Sequence, residues 1–478
     1  MTLSAVLRCA ASPSTGGGHV IRCLAIAELA AHMGWECSFL SPPESAAVVP
    51  QMRSFRRIDA PPSHADIVVV DDYQTGLLWE SSSRAWAGRV VVIDDFAVRK
   101  HDCDLLVDSS PIRNPFDYGP WVPAGTRVMT GPAFAPLRDQ YRRARPGALH
   151  RRQSAGIRNV LINFGASDPL GRAVLAAQAT LSALPDATVT VVAGAGSPHR
   201  RALDDIAAEA PARFRILDAV ADMAALMAEA DVAIGAAGHS SWERCALGLP
   251  TIVLPTADNQ RDNLKALVSA GAAEHVDDAH VSVDGIARKL KVLAGDPERL
   301  TALSRNAAQL CDGRGAIRIV VAALSARQSA RNGKFVALRP AEAADAKQLF
   351  AWQTDEQTRR FFRNPRAPTW SEHELWLGQV LEDPSQFLFL VECGGLPAGS
   401  VRLVEIPRGL SEVSIYVAPG MYRGGIGKAA LNLLRRLFPR KIFSADVLAG
   451  NDASAALFLG SGYCRESSGM YVQHPPQG

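Results

Sequence analysis

The chain has 478 residues, 47% hydrophobic and 21% charged, and 51 Lys plus Arg against 48 Asp plus Glu leave a formal charge of only +3. That composition excludes a wholly disordered, collagenous or coiled-coil chain, and so near-neutral a balance argues against a dedicated nucleic-acid binder. The length predicts roughly three domains. No apolar run reaches the roughly 18 residues that a membrane helix needs. The first apolar stretch, interrupted by Arg8, is too short for a signal peptide. The eight cysteines form no CxxC pair and sit in apolar stretches, as buried reduced thiols of a cytoplasmic protein would. No metal is expected.

In the first unit (1–145) short apolar runs alternate with amphipathic ones. SAVLRC (4–9), WECSFL (35–40), DIVVVD (66–71) and RVVVIDD (89–95) read as strands, with helices from His19 to Met33 and around Gly76 to Trp86. Strands apolar on both faces and separated by helices specify a parallel sheet covered on both sides. The Arg-rich stretch 138–156 reads as a solvated interdomain connection rather than a nucleic-acid patch. The alternation restarts in the second unit (156–325). Strands are predicted at 158–164, 187–194, 231–236 and 251–255, helices at 169–184, 222–230 and 241–248, and helical patterns from Asp284 to Ser325. Two doubly wound α/β halves predict a two-lobed molecule whose ligands sit outside the carboxyl ends of the strands.

A third unit (334–474) follows the polar stretch 326–334. It reads as a strand (335–340), helices near 343–352 and 371–381, and three successive strands at 387–393, 398–406 and 412–417. A glycine turn then opens a helix (429–438), and a strand (441–448) precedes a last helix near Asn451. Consecutive strands with helices before and after indicate a mixed α+β domain.

Gly16-Gly17-Gly18-His19 lies between the first strand and the first helix. Glycines there let a ligand approach the backbone, and the helix start offers N–H groups to an anion, although the turn matches neither the dinucleotide fingerprint nor the P-loop. His19 is either a general base at the mouth of this turn or a cap on the helix. Tyr73 either contacts a sugar or closes the sheet edge. In the second unit Ser240, Ser241 and Glu243, then Asn259 and Gln260, follow two strands and open two helices. Hydroxyls and helix N–H groups suit a diphosphate and Glu243 a ribose, while Ser with Glu three residues on also describes a plain capping box.

Six segments, 8–27, 68–74, 92–108, 162–169, 238–251 and 257–260, together resemble the UDP-sugar hydrolase family of pseudaminic acid biosynthesis, whose fold is similar to the two-lobed GT-B glycosyltransferases. The resemblance implies release of UDP from UDP-2,4-diacetamido-2,4,6-trideoxy-β-L-altropyranose, with His19 activating water at the anomeric carbon. It implies substrate contacts from Gly18, Tyr73, Ser240, Ser241, Glu243, Asn259 and Gln260. The chain departs from the family pattern at Ala10, usually acidic, and at His239, usually small.

Residues 335–472 resemble the GNAT superfamily of N-acetyltransferases, on the stretches 412–431 and 451–463. That likeness implies acetyl-CoA held by Val417, Arg423, Gly424, Gly425, Gly427, Lys428 and Asn451. Tyr422 stands in the usual basic position, and Phe458 where many members carry a proton-donating tyrosine. The fusion implies consecutive steps, acetylation of a UDP-4-amino-sugar and then loss of UDP. The alternatives are a GT-B glycosyltransferase with an appended acyltransferase, or a non-catalytic nucleotide-sugar-binding protein. Small-molecule partners are expected, with neither nucleic acid nor membrane, and the oligomeric state is left open.

Overall fold

The computed structural model describes residues 3–12, 16–152, 156–165, 168–194, 196–218, 220–257, 260–467 and 469–476. The first lobe runs β1 (Ser4–Cys9), α1 (Gly18–His32), β2 (Glu36–Leu40), α2 (Ser45–Val48), β3 (Arg56–Ile58), β4 (Ala65–Asp71), α3 (Leu77–Ser83), β5 (Ala87–Ile93), β6 (Leu105–Asp108) and β7 (Arg127–Thr130). Its parallel sheet has the order β3-β2-β1-β4-β5-β6-β7. The valines of β4 and β5 are buried on both faces, as the continuous apolar runs predict. The chain changes direction across the sheet between β1 and β4, which pair with Cys9 opposite Asp71. The loops leaving these two strands are therefore neighbours, at the point where doubly wound sheets bind ligands.

The Arg-rich stretch that reads as a solvated connection is instead a helix, α4 (Asp139–Arg151), which docks on the second lobe. Its arginines have internal work. Arg145 donates to the Ala308 and Cys311 carbonyls, and Arg152 to those of Met227 and Leu247. These carbonyls lie at the C-terminal ends of three helices, where no intrahelical donor is left. The second lobe then runs β8 (Asn159–Asn163), α5 (Arg172–Ala183), β9 (Thr188–Val192), α6 (Arg200–Glu209), β10 (Phe214–Leu217), α7 (Met223–Glu229), β11 (Val232–Gly235), α8 (Ser240–Ala246), β12 (Thr251–Val253), α9 (Arg261–Ser269), β13 (Glu274–His275), α10 (Val283–Ala294) and α11 (Pro297–Leu310). Its strand order, β10-β9-β8-β11-β12-β13, again reverses at the centre, between β8 and β11. The molecule thus has the two lobes that the alternation of elements predicts, in the GT-B-like arrangement that the resemblance implies.

A wholly buried helix, α12 (Gly315–Leu324), leaves the second lobe and packs between α1 and the third unit. That unit comprises β14 (Gln328–Ser329), β15 (Phe335–Pro340), α13 (Ala346–Thr354), α14 (Glu356–Arg359), α15 (Trp370–Glu382), β16 (Gln386–Cys393), β17 (Leu396–Ile406), β18 (Leu410–Val417), α16 (Ile426–Leu437), β19 (Ile442–Ala445), α17 (Asp452–Gly460), β20 (Cys464–Arg465) and β21 (Tyr471–Gln473). They form one mixed sheet, β14-β15-β16-β17-β18-β19-β21-β20, in which only β18 and β19 are parallel neighbours. One apolar core runs from β1 and α1 through α12 to β16, β17 and α16. At its rim Trp35 Nε1 donates to the Leu437 carbonyl at 3.0 Å, and His32 Nε2 lies 2.8 Å from Glu405. Among the described residues no helix is long and apolar enough to cross a membrane.

Candidate functional site

The three glycines before α1 have different reasons to be glycine. Gly16 has φ +73°, and a Cβ on Gly17 would come within 2.7 Å of Val49, whereas one on Gly18 would meet open space. The protein's own packing therefore makes no demand on Gly18. His19 follows in the first turn of α1 with a side chain only 16% exposed, and its Nδ1 lies 2.7 Å from Oδ1 of the fully buried Asp71 at the end of β4. A proton on Nδ1 bonds Asp71 and leaves the Nε2 lone pair free; Arg22 Nη2, which can only donate, stands 3.0 Å from the same Nδ1 and in that tautomer gives its proton to Asp71 instead. Nε2 has no hydrogen-bond partner among the described residues. One turn on, Arg22 grips Asp71 through Nε and Nη2, at 2.8 and 2.7 Å, and reaches Asp95 through Nη1 at 2.7 Å. Tyr73 donates its hydroxyl to the same Asp95 at 2.5 Å, and its ring stands edge-on to the His19 imidazole at 4.4 Å. Burial alone would raise the Asp95 carboxyl, but Arg22 and the Tyr73 hydroxyl hold it below the usual range. Burial, with Asp95 beside it, pushes the Tyr73 phenol well up, so it stays a donor.

On the second lobe the expected residues gather around α8. Arg244 donates to both Ser240 Oγ, at 3.2 Å, and Ser241 Oγ, at 3.0 Å. Burial brings the guanidinium down to about 10, still charged at neutral pH. Ser240 is half-buried at the start of α8, but Ser241 is buried and its hydroxyl also bonds the Ala236 carbonyl. Glu243 accepts a hydrogen bond from Tyr141 of α4, and burial raises its carboxyl. Gln260 ties two loops together, its Oε1 accepting from the amides of Ala237 and Thr256 at 3.2 and 3.1 Å. Asn259 lies outside the described residues. His239, just before α8, is near enough to Arg22, Asp71 and Asp95 of the first lobe to feel their charge.

In the third unit β18 ends at Val417 and a turn leads into α16. Arg423 and Gly425 both hold left-handed φ, +63° and +81°. A Cβ on Gly425 would come within 2.7 Å of the Arg331 amide nitrogen. Gly427 packs against Leu457 of α17, where a Cβ would sit at 3.1 Å. Gly424 is half-buried, and Arg423 and Lys428 are exposed beside the turn. Tyr422 hydrogen-bonds Thr358 at 3.3 Å, and Phe458 packs edge-on to Tyr463. Asn451 caps α17 by accepting from the Ser454 amide at 3.1 Å, so its side chain is engaged within the protein. A glycine-rich turn at the head of a helix offers backbone N–H groups that suit a pyrophosphate.

Residues 166–316 match the glycosyltransferase family 28 C-terminal domain. Residues 336–463 match the GNAT acetyltransferase domain. The chain therefore joins a family 28 lobe to a GNAT domain. It is 30% identical over 203 residues to the spore coat polysaccharide biosynthesis protein SpsG of Bacillus subtilis, covering 42% of this chain and 58% of that protein. It is 22% identical to the uncharacterized protein MJ1062 of Methanocaldococcus jannaschii, over 72% of this chain and 69% of the relative. It is also 33% identical, over 33% of this chain and 38% of the relative, to the UDP-N-acetylglucosamine--N-acetylmuramyl-(pentapeptide) pyrophosphoryl-undecaprenol N-acetylglucosamine transferase of Xanthomonas campestris.

Sequence reasoning placed His19, Gly18 and Tyr73 in one site but did not single out Asp71, Arg22 or Asp95. The available signal was two acidic residues closing strands in DIVVVDD and VVVIDD. Once β4 and β5 are known to be adjacent, both acids fall at the carboxyl edge beside the glycine turn. In the family 28 lobe the serines proved to be shared with Arg244, a residue that the sequence alone offered no reason to choose.

Proposed function

We propose that the two lobes release UDP from a nucleotide sugar by hydrolysis, and that the GNAT domain N-acetylates the UDP-4-amino-sugar from which that substrate is made. The observation that carries the first part is the His19–Asp71 pair at the switch point of the first sheet. With its Nδ1 proton committed to a buried carboxylate, the imidazole offers Nε2 as a base. Water gives its proton to Nε2 while its oxygen bonds the anomeric carbon. The carbon–oxygen bond to the diphosphate breaks, and its electron pair stays on UDP. Attack opposite the leaving group inverts the anomeric configuration. The Tyr73 ring crowds the imidazole, which favours a nucleophile as small as water. On the other wall, Ser240 is assigned to the diphosphate, Glu243 to the ribose in exchange for Tyr141, and Gln260 to the sugar side; Asn259, expected at the diphosphate, lies outside the described residues. Ser241 supports Arg244 beneath them. The resemblance to the UDP-sugar hydrolases of pseudaminic acid biosynthesis supports UDP-2,4-diacetamido-2,4,6-trideoxy-β-L-altropyranose as substrate.

For the GNAT domain, the turn from Val417 to Lys428 is assigned to the acetyl-CoA pyrophosphate. Acetyl-CoA supplies the thioester acyl group. The free amine bonds the acyl carbon, the carbon–sulfur bond breaks with its electron pair on sulfur, and the nitrogen releases one proton to solvent; the thiolate leaves without a tyrosine acid, because Phe458 occupies that place. A second reading, transfer of the sugar to an acceptor hydroxyl by the same base, is favoured by the family 28 match. Mass spectrometry of products from the UDP-4-amino-sugar, with and without acetyl-CoA, separates them. The hydrolase yields free sugar and UDP with no acceptor added, and acetylation requires the donor. His19→Ala should slow UDP release several hundred-fold, about 3–5 kcal/mol of barrier. Activity within a few-fold of the parent removes His19 as base.

A further inference from the structure

His239 is half-buried, and it differs from the buried histidines in having neither ring nitrogen bonded. His373 gives Nε2 to the Ala346 carbonyl and His101 pairs through Nδ1 with Glu80, so each has one nitrogen engaged. Both ring nitrogens of His239 are shut off from solvent and neither completes a hydrogen bond; the Pro136 carbonyl comes near without closing one. An enclosed polar group left unpaired is destabilising until a partner reaches it. The ring stands at the carboxyl end of β11, in the seam between lobes, and the lobe-1 groups that bear on its charge are Arg22, Asp95 and Asp71. Burial first and Arg22 second lower its titration to about 4, so at neutral pH it is an uncharged ring with one N–H to give. Arg22 is the cation within reach, and it is already divided between two carboxylates. His239 is therefore an uncommitted donor on the second lobe, within reach of the charges that surround His19.

We propose that His239 donates a hydrogen bond to a diphosphate oxygen of the nucleotide sugar when the ligand parts the lobes at this seam. This rests on the nucleotide-sugar reading above. With the nucleotide on the family 28 lobe and the anomeric carbon under His19, the group that lies between them is the diphosphate. Its oxygen gains charge as the bond to the sugar breaks. His239 keeps its proton throughout, and the proton from water goes to His19. A donor aimed at developing charge contributes more to turnover than to ground-state binding.

The test uses full-length protein, UDP release from UDP-2,4-diacetamido-2,4,6-trideoxy-β-L-altropyranose, and calorimetric binding of UDP. His239→Phe fills the space without a donor, and His239→Gln restores one N–H. Expected are a fall in kcat of about 10²-fold for His239→Phe, a KM within about threefold, and recovery of about tenfold by His239→Gln. Equal kcat in the two variants, or the reverse order, overturns the proposal, since packing alone does not distinguish an amide donor in this way. If His19→Ala is inactive while His239→Phe matches the parent, only the role of His239 falls. If both match the parent, the hydrolase reading falls with it.

Discussion

Asp71 is shared by two partners with different consequences. Its bond to His19 fixes the tautomer, while its bonds to Arg22 fix the carboxylate itself. Asp71→Asn should preserve the packing but lose tautomer control, lowering turnover by about 10²–10⁴-fold with little change in UDP affinity. Steady-state kinetics beside calorimetry would check this, and a purely structural role would instead appear as lost binding and lost folding together. Glu243→Ala should raise the dissociation constant of UDP about tenfold, equivalent to 1.4 kcal/mol, and unchanged calorimetric binding would move the ribose elsewhere. His19 was legible because a histidine in a glycine turn is rare and chemically suggestive. Asp71 and Asp95 were not, because acids closing strands are common, and their meeting depends on which strands become neighbours.

The same lobe carries two buried titrating groups around Asp94. Burial would lower His101, but Asp94 and Glu80 raise it to about 9, while burial raises Asp108 to about 7. Both groups hold protons more tightly when folded than their ordinary values allow. The His101 contribution is fully present below about pH 6.5 and is lost as pH rises through 9. Asp108 works in the same direction between about pH 4 and 7. Thermal melting should therefore fall by several degrees between pH 7 and pH 9.5. His101→Gln, although less stable at neutral pH, should lose that slope, and an unchanged slope in calorimetric scans would exclude His101 as its source.

At the scale of elements, α4 shows how a charged run becomes internal. Its arginines look solvated in sequence, yet Arg145, and Arg152 just past its end, close carbonyls that would otherwise be orphaned at helix ends. Arg152→Leu should cost about 2–3 kcal/mol, read as a lower urea midpoint with unchanged slope. Gly425→Ala in the GNAT domain asks for φ +81° from a side-chain residue and drives a Cβ into the Arg331 backbone. It should abolish measurable acetyl-CoA binding by calorimetry; wild-type affinity would displace the pyrophosphate from this turn. The parallel strands and the helices between them were readable from periodicity, since runs apolar on both faces have few other uses. Short strands such as β3 (Arg56–Ile58) and β20 (Cys464–Arg465) were not, because two or three polar residues carry no period.

Across the whole molecule, the partition suggested by sequence into three successive units is crossed by α12 and by the apolar core that α1 shares with β16, β17 and α16. The first lobe and the GNAT domain should consequently melt as one cooperative unit in calorimetry, with the family 28 lobe free to melt apart. A separate GNAT transition would contradict the shared core. Helix α1 is the common part. Its 15 residues form a rod about 22 Å long, with His19 at one end, His32 on Glu405 at the other, and Trp35 just beyond it on the Leu437 carbonyl. A shift at the α16 end is delivered along that rod to the imidazole at nearly full size, because a packed helix compresses little. Inherited variation in the acetyltransferase is therefore not equally tolerated everywhere. Drift is penalised at the end of α16, where it would move His19, and is better tolerated on faces of the GNAT domain that do not touch α1.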